Sequence, residues 1–510
     1  MIHTSRSGRS MVVGLAWAAA LLFLPLPGSS GRALAGQDLV AATYAELDRV
    51  RDEKLAQLRQ YLDRVRDLAG QAAADPVITG YFELRTRFHY LGHVTPPPDA
   101  AVAAMERLDE SLREHYLTRY LAFYDLLFVD SDGCVVHTIR GEADRGRNLF
   151  EAPWRDTALV RRLRGSPKSA FVDYQPYEAS GEASAFFVEP LAAGGSSGWL
   201  ILQCTIDKLN RIFDREEFLG RTGEVFLVNQ DRLMLTDSRF RADTSVLRQH
   251  LSPQNIAAKF AERRGRKTIT DYRGQEALTS FEVVPVMGHE WLLVAKIDQD
   301  EVVTRAWDRQ GLEAMLVRAV SAAQPAPVAS PPAFANLLRV DMDEFHGARP
   351  GASLVTWGVS TCTAVVIGRP GKFAYLGHAS TYDRCYGAGE TDLIAQMLKR
   401  IGEFEVYPSE VRELRAVVVA PHVASARGVI ERLLDAGLFL SQIRFVRDPG
   451  ARRADVLHDP ATGTTWVQWH GLAGDSRWVD AADVPDLGSL AQGALGYPAA
   501  VRAADTALRR

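Results

Sequence analysis

Between residues 38 and 74 apolar side chains return mostly every three or four positions: Leu39, Tyr44, Leu47, Val50, Leu55, Leu58, Tyr61, Leu62 and Val65. That spacing puts them on one face of a single long amphipathic helix. A second helical stretch, AAVAAMERLDESLREHYLTRYL, follows the turn at TPPPDA. The texture then becomes β. DLLFVDSDGCVVHTI reads as strand, Asp-Gly turn, strand. After a helical stretch near 154–164 come SAFVDYQPY, SAFFVEPLAA and SGWLILQCTIDKL, three strands separated by Gly and Ser. The same order returns in GEVFLVNQDRLMLTD, a helical 245–262, KTITDYRGQEALTSFEVVP and EWLLVAKIDQDE. Such duplication predicts two similar modules in tandem rather than one large sheet.

Residues 319–334, AVSAAQPAPVASPPAF, are rich in Ala, Pro and Ser, and predict a semi-rigid extended linker. Beyond it SLVTWGVSTCTAVVIG, KFAYLGHAS, a helix ETDLIAQMLKRIGEF, ELRAVVVAPH and a helix ASARGVIERLLDAG predict a compact α/β module. The end, 476–510, alternates Ala with polar residues and carries no motif. The expected fold class is α+β. A long N-terminal helix carries two antiparallel-sheet modules (36–215 and 216–310), then come a linker (311–336), an α/β layered domain (337–475) and a tail (476–510).

At 510 residues the chain is too long for one core, in keeping with that division. With 24% charged residues and net charge −4, it lacks the clustered basic surface of a dedicated nucleic-acid binder. The basic runs at 161–165 and 262–267 have no interleaved aromatics and read as solvated turns. The N-terminus changes the picture more. A basic start, the apolar MVVGLAWAAALLFLPLP and Ala33-Leu34-Ala35 form a three-part secretory signal over 1–35. The apolar run falls short of the roughly 20 residues of a spanning helix; an uncleaved anchor is the alternative and leaves the sidedness unchanged. The expected location is periplasmic or secreted.

Four cysteines, Cys134, Cys204, Cys362 and Cys385, match no zinc or haem spacing. No metal or cofactor is expected. Cys134 and Cys204 sit in β-like runs and read as small core hydrophobes. Cys362 ends TWGVSTC (356–362), and His378 follows sixteen residues later at the end of an apolar run. Adjacent strands would bring that imidazole to the thiol, and the Thr356 hydroxyl would hold its tautomer. The plain alternative is a buried core thiol. Cys385 is near enough in sequence for a Cys362–Cys385 disulfide, and His422 is a second imidazole that could approach the site, the plain alternative being a solvated strand-end histidine.

The order and texture of 38–300 resemble the double Cache family, the extracytoplasmic sensor region of many bacterial chemoreceptors and sensor kinases. The stretches RDEKLAQLRQYLDRVRDLA, YDLLFVDSDGCVVHTIRGEADRGRNL, FVDYQPY and FLGRTGEVFLVNQDRLMLTDSRF carry the likeness. It implies two PAS-like sheets stacked along the helix, the first usually holding an amino acid, organic acid or amine. Candidate pocket residues are Trp154, Arg155 and Asp156 after the hairpin, Asp173, Tyr174 and Tyr177 on the next strand, and Asp207 at the end of a later one. Aromatics with one cation and several carboxylates would suit a zwitterionic or cationic ligand. The plain alternative is core aromatics beside solvated ion pairs. A chemoreceptor sensor normally continues into a second membrane helix, which is not apparent here. The expected signalling partner therefore lies on the same side of the membrane.

The Thr356, Gly358, Cys362 and His378 set is similar to the chemoreceptor glutamine deamidase (CheD) family over about 337–470. Thr361 stands for a family serine and Ser360 for a glycine. Serine there would be strained at positive φ. Ala-Pro-His at 420–422 replaces a family glycine pair. The resemblance implies amide hydrolysis. Cys362 would be the nucleophile and His378 the acid and base, with backbone N–H groups around Thr361 and Cys362 holding the oxyanion. A protein substrate is then a partner. The competing expectation is a non-catalytic binding protein that uses this fold as a docking module.

Overall fold

The computed structural model describes residues 36–501 apart from 95–97, 166–167, 214–218, 308, 323–324, 381–391, 407 and 499. The export segment and Cys385, to which a bridge from Cys362 was considered, lie outside the described residues. Helix α1 (Gly36–Ala74) covers the predicted amphipathic stretch, and Leu47, Val50, Leu55 and Leu58 on its apolar face are buried. It stops where Pro76 opens α2 (Pro76–Val94), and Asp75 Oδ1 accepts from the Val77 N–H at 2.8 Å. Helix α3 (Asp99–Arg119) leads into the first module.

That module holds β1 (Asp125–Asp130), β2 (Val135–Thr138), α4 (Ala158–Gly165), β3 (Ala170–Tyr177), β4 (Glu182–Ala193) and β5 (Ser196–Thr205), followed by α5 (Ile206–Phe213). Its sheet is antiparallel in the order β2-β1-β5-β4-β3. Alternation sends Leu126, Phe128, Leu200 and Leu202 into the core shared with α1 and α2. Leu127, Val129, Ile201 and Phe186 point to the other face, which α4 and residues Leu149 and Trp154 cover. The second module has β6 (Glu224–Val228), α6 (Pro253–Glu262), β7 (Arg264–Thr270), β8 (Glu276–Val286) and β9 (His289–Asp298). Its order, β6-β9-β8-β7 with Met234 bridging Val228 at the edge, repeats the first. The chain is thus α+β, with two tandem PAS-like sheets laid along one long helix.

Helices α7 (Gln299–Arg305) and α8 (Arg309–Ala322) follow. The last unit contains β10 (Leu337–Arg339), β11 (Glu344–Ala348), β12 (Ser353–Val359), β13 (Thr363–Arg369), β14 (Phe373–Ala379), α9 (Leu393–Phe404), β15 (Arg415–Val419), α10 (Val423–Asp435), β16 (Ile443–Val446), β17 (Ala451–Asp459), β18 (Thr464–Gly471), β19 (Ser476–Asp480) and α11 (Leu487–Leu495). Two sheets, β10-β12-β17-β18-β19 and β11-β14-β13-β15-β16, enclose a core with Leu354, Val366, Leu376, Val456 and Trp469. Helices α9 and α10 cover the far face of the second sheet.

Several stretches differ from expectation: the expected helix 245–262 begins only at Pro253, and the basic runs expected as turns lie in α4 and at the junction of α6 and β7. The extended linker begins as helix, because Leu312, Met315 and Leu316 are buried and hold α8 through Ala322. Beyond it the Val328 N–H donates to the Trp478 carbonyl at 2.9 Å, and Phe334 lies 5.7 Å from the Trp466 ring, so this part lies along the first sheet. The tail has structure too: Asp486 caps α11, whose Leu487, Ala491 and Leu495 are buried. Its end meets the start of α1 so closely that a Cβ on Gly36 would fall 2.3 Å from the Leu495 carbonyl oxygen.

The last unit also reaches into the second module. Arg412, in the 3₁₀ turn Pro408–Glu413, donates to Gln275 at 2.6 Å and lies 2.7 Å from Asp298, whose side chain is 1% exposed. That contact is an ion pair by distance, without the alignment of a hydrogen bond. Arg412→Gln removes one charge partner of a buried carboxylate that keeps Lys296 and Arg273. The expected cost is about 2–3 kcal/mol, read as a lower urea midpoint; an unchanged midpoint would exclude this contact from the stability of the junction.

Candidate functional site

The stretch 356–362 runs from β12 into the turn before β13. Gly358 has φ +76, and its N–H donates to Asp455 Oδ1 at 2.8 Å. The left-handed residue of this stretch is therefore a glycine, and Ser360 does not carry the strain expected of it. Thr356 and His378 are buried, and Thr356 Oγ1 lies 2.8 Å from His378 Nδ1. If Nδ1 carries the proton, it donates to the hydroxyl and Nε2 is left with a lone pair. Nε2 is buried with no hydrogen-bond partner among the described residues. Burial lowers the imidazole pKa, and the carboxylates of Asp343 and Asp341 oppose the shift.

Strands β13 and β14 pair Ala364 with His378 and Thr363 with Ala379. Cys362 stands two residues before Ala364, and both belong to the core between the two sheets. Alternation therefore places the Cys362 side chain on the face of His378. The Cys362 sulfur is 3.8 Å from Met342 Sδ, and the residue is 7% exposed. Thr361 is exposed, Ser360 half-buried, and the Thr361 carbonyl accepts from Ser425 Oγ at 2.9 Å. His422 is exposed at the start of α10, and its ring does not cap that helix.

The sensor candidates divide. Trp154 and Tyr177 share the covered face of the first sheet. Asp173 and Tyr174 turn to the second module: Trp291 Nε1 is 3.1 Å from both Asp173 carboxylate oxygens, and the Tyr174 and Trp291 rings are 6.0 Å apart. Arg155 and Asp156 pair with each other in solvent at 3.1 Å, and Asp207 is exposed. The seven residues do not converge.

A different polar group lies at one end of the covered face. Asp125 pairs across the sheet with Gln203, which pairs with Phe186. Asp125, Asp144 and Gln203 are each at most 1% exposed. Tyr177 donates to Asp144 Oδ2 at 2.5 Å, while Asp144 Oδ1, Glu142 Oε2 and Gln203 Oε1 are buried acceptors without a partner among the described residues. Burial, with Asp144 adding to it, pushes the Asp125 carboxyl up to about 7. Burial raises the Asp144 carboxyl as well. Among the described residues no Lys, Arg or His side chain pairs with either carboxylate. The sequence held one signal for this group: Asp125 stands on the same phase of β1 as the inward Leu127 and Val129.

No family model and no curated protein matches the chain. Among solved structures it is similar to the extracellular domain of the histidine kinase vpHK1S-Z8, at 12% identity and TM-score 0.36 over 54% of this chain and 96% of that one. It is also similar to the ligand-binding domain of Mlp24 with asparagine, at 13% identity and TM-score 0.36 over 54% and 99%. A third is the ligand-binding domain of the Pseudomonas fluorescens chemoreceptor CtaA in complex with L-serine, at 15% identity and TM-score 0.32 over 52% and 99%. Likenesses of this size carry no functional argument.

His378 is expected to titrate below the ordinary histidine value of about 6.5, so that its ring is neutral at pH 7. An NMR titration of histidine-labelled protein reads this directly. A resonance for His378 with a midpoint at or above 6.5 would contradict the buried, Thr356-bonded geometry.

Proposed function

We propose that this chain is an exported sensor whose first module binds a small organic cation, and whose last unit bears a cysteine amidohydrolase site. The observation that carries the sensor half is the pair of buried carboxylates, Asp125 and Asp144, which among the described residues lie next to acceptors without a partner and have no cation. Burying charge without a counter-charge is costly, and an ammonium group supplies both the charge and the N–H donors. Tyr177 and Trp154 on the same face supply aromatic walls. The two tandem PAS-like sheets along α1 support a Cache-type reading of this region, with the ligand on the extracytoplasmic side.

The amidohydrolase half rests on the Thr356–His378 bond and the unpartnered Nε2. In the proposed reaction the Cys362 thiol gives its proton to His378 Nε2, and the thiolate attacks a carboxamide carbon. The imidazolium protonates the nitrogen as ammonia leaves, and a thioester remains. Water, deprotonated by the same nitrogen, then hydrolyses the thioester to a carboxylate and restores the thiol. Backbone N–H groups at Thr361 and Cys362 are assigned to the oxyanion. A second reading, a docking module without catalysis, is favoured by the closeness of Met342 Sδ to a thiol that is only 7% exposed.

Two experiments separate these readings. Thermal unfolding with 1,4-diaminobutane or ethanolamine, against butanoate or succinate, is expected to show stabilisation by the amines. Asp144→Asn should abolish that shift. Asp125→Asn should raise the stability of the ligand-free protein, and more at pH 8 than at pH 5. A carboxyl with a folded pKa near 7 and an unfolded value of about 3.9 loses stability as pH rises between them. Stabilisation by the acids alone would sink the cationic ligand.

For the thiol, the rate of Cys362 alkylation against pH is compared among wild type, His378→Ala and Cys385→Ser. A primed nucleophile labels with an apparent pKa below about 8.5, and at least tenfold more slowly without His378. Slow labelling indifferent to His378, in Cys385→Ser as well, leaves the docking module.

A further inference from the structure

We propose that His89, Asp130 and Cys134 form a binding site for a divalent transition-metal ion, zinc by the character of its ligands. The group lies away from both sites above, where α2 meets the first hairpin. Asp130 closes β1, and Cys134 stands in the turn to β2 and bridges Asn148. The candidate ligand atoms of the three side chains all lie within 4.8 Å of one another. Donors around a tetrahedral ion with bonds of about 2.0–2.3 Å are roughly 3.3–3.8 Å apart. The cluster therefore has to draw in by about 1 Å, which rotamer changes at the half-buried His89 and Cys134 can supply.

The hairpin already aims one oxygen at the gap. Asp130 Oδ1 accepts from the N–H groups of Asp132 and Cys134 at 3.0 and 2.8 Å. Oδ2 faces α2, where the Tyr90 hydroxyl lies 3.0 Å from it and 3.1 Å from Asp132 Oδ2. The one hydroxyl proton is thus shared between Asp130 and the solvent-exposed Asp132, and Asp130 Oδ2 keeps lone-pair capacity for a cation. Asp132 or a water molecule is the natural fourth ligand.

A thiolate, an imidazole and a carboxylate form a mixed soft and borderline set that suits zinc and disfavours magnesium and calcium. Binding is balanced by release of the Cys134 thiol proton to solvent, with His89 ligating as the neutral ring. The ion would fasten the leading helices to the hairpin of the first module. The ligands come from separate elements, so their spacing in sequence resembles no zinc motif.

The test uses the full exported chain, stripped with chelator and titrated with Co2+ as the spectroscopic substitute for zinc. One equivalent is expected to give a thiolate-to-cobalt charge-transfer band that Zn2+ abolishes. The band should vanish in Cys134→Ser, weaken at least tenfold in apparent affinity in His89→Ala, and persist in Cys362→Ser. The wild-type titration needs no variant to fold: absence of the band at saturating Co2+ overturns the site. So does a band that survives Cys134→Ser.

Discussion

The Asp298 carboxylate is the point at which the two halves of the molecule hold each other. It ends β9, its side chain is 1% exposed, and it meets Arg273 at 2.5 Å and Lys296 at 3.7 Å from its own module. Arg412 approaches from the last unit at 2.7 Å. A carboxylate this deep keeps its charge only where cations or N–H and O–H donors offset the lost water, and otherwise takes up a proton. Burial still pushes it up, and the three cations pull the other way. The last unit supplies the third of these cations, so the junction is specified by charge as well as by shape. Neighbouring contacts agree: the Leu440 N–H donates to Thr304 Oγ1 at 3.2 Å, and Arg221 lies over the Phe439 ring at 4.7 Å.

The apolar stripe of α1 performs the same joining along the other axis. Leu39, Tyr44, Leu55 and Leu58 belong to one core that includes Leu200 of the first sheet, Leu293 of the second, and Leu495 of α11. Polar contacts fix the register of helix on sheet, with Arg51 donating to Ser280 at 2.5 Å and to Asp48 at 2.8 Å. Two sheets hung on one rigid rod move together unless the rod itself shifts. In the function proposed above, such a rod would couple a ligand end and an output end that are far apart in sequence.

How much of this was legible depends on how far each signal travels. The α1 stripe and the repeated strand order are local periodicities, and both appear in the fold as read. The contact between Thr356 and His378 was legible because a strand, a turn and a hairpin settle their neighbourhood. The expected pocket residues do not converge. Strand β3 shifts register between Val172 and Gln175, which turns Asp173 and Tyr174 toward Trp291 while Tyr177 keeps the covered face. Counting by twos from Asp173 to Tyr177 crosses that irregularity and places them together wrongly. Helix α11 was missed because its buried residues are few and its Ala and Gly positions dilute the period. Asp125 and Asp144 come from separate elements, and their significance is the absence of a cation, which no local pattern contains.

In the function proposed above, the same geometry would give a short mechanical route from the second module to Cys362. Arg427 on α10 pairs with Glu313 on α8, the helix that continues from the second module. Two residues earlier on α10, Ser425 donates to the Thr361 carbonyl at 2.9 Å. That carbonyl belongs to the peptide whose N–H is that of Cys362, one of the donors assigned to the oxyanion. A displacement of α8 carries α10 with it, because close-packed interiors pass on shifts rather than absorb them. A small rotation of the 361–362 peptide would re-aim its N–H while leaving Thr356 and His378, on different strands, where they are. Contact alone is only the means; regulation also requires two discrete positions of α8 that the ligand distinguishes. In the proposed site the Cys362 N–H, rather than the thiol or the imidazole, would therefore be the element most open to control from the preceding modules.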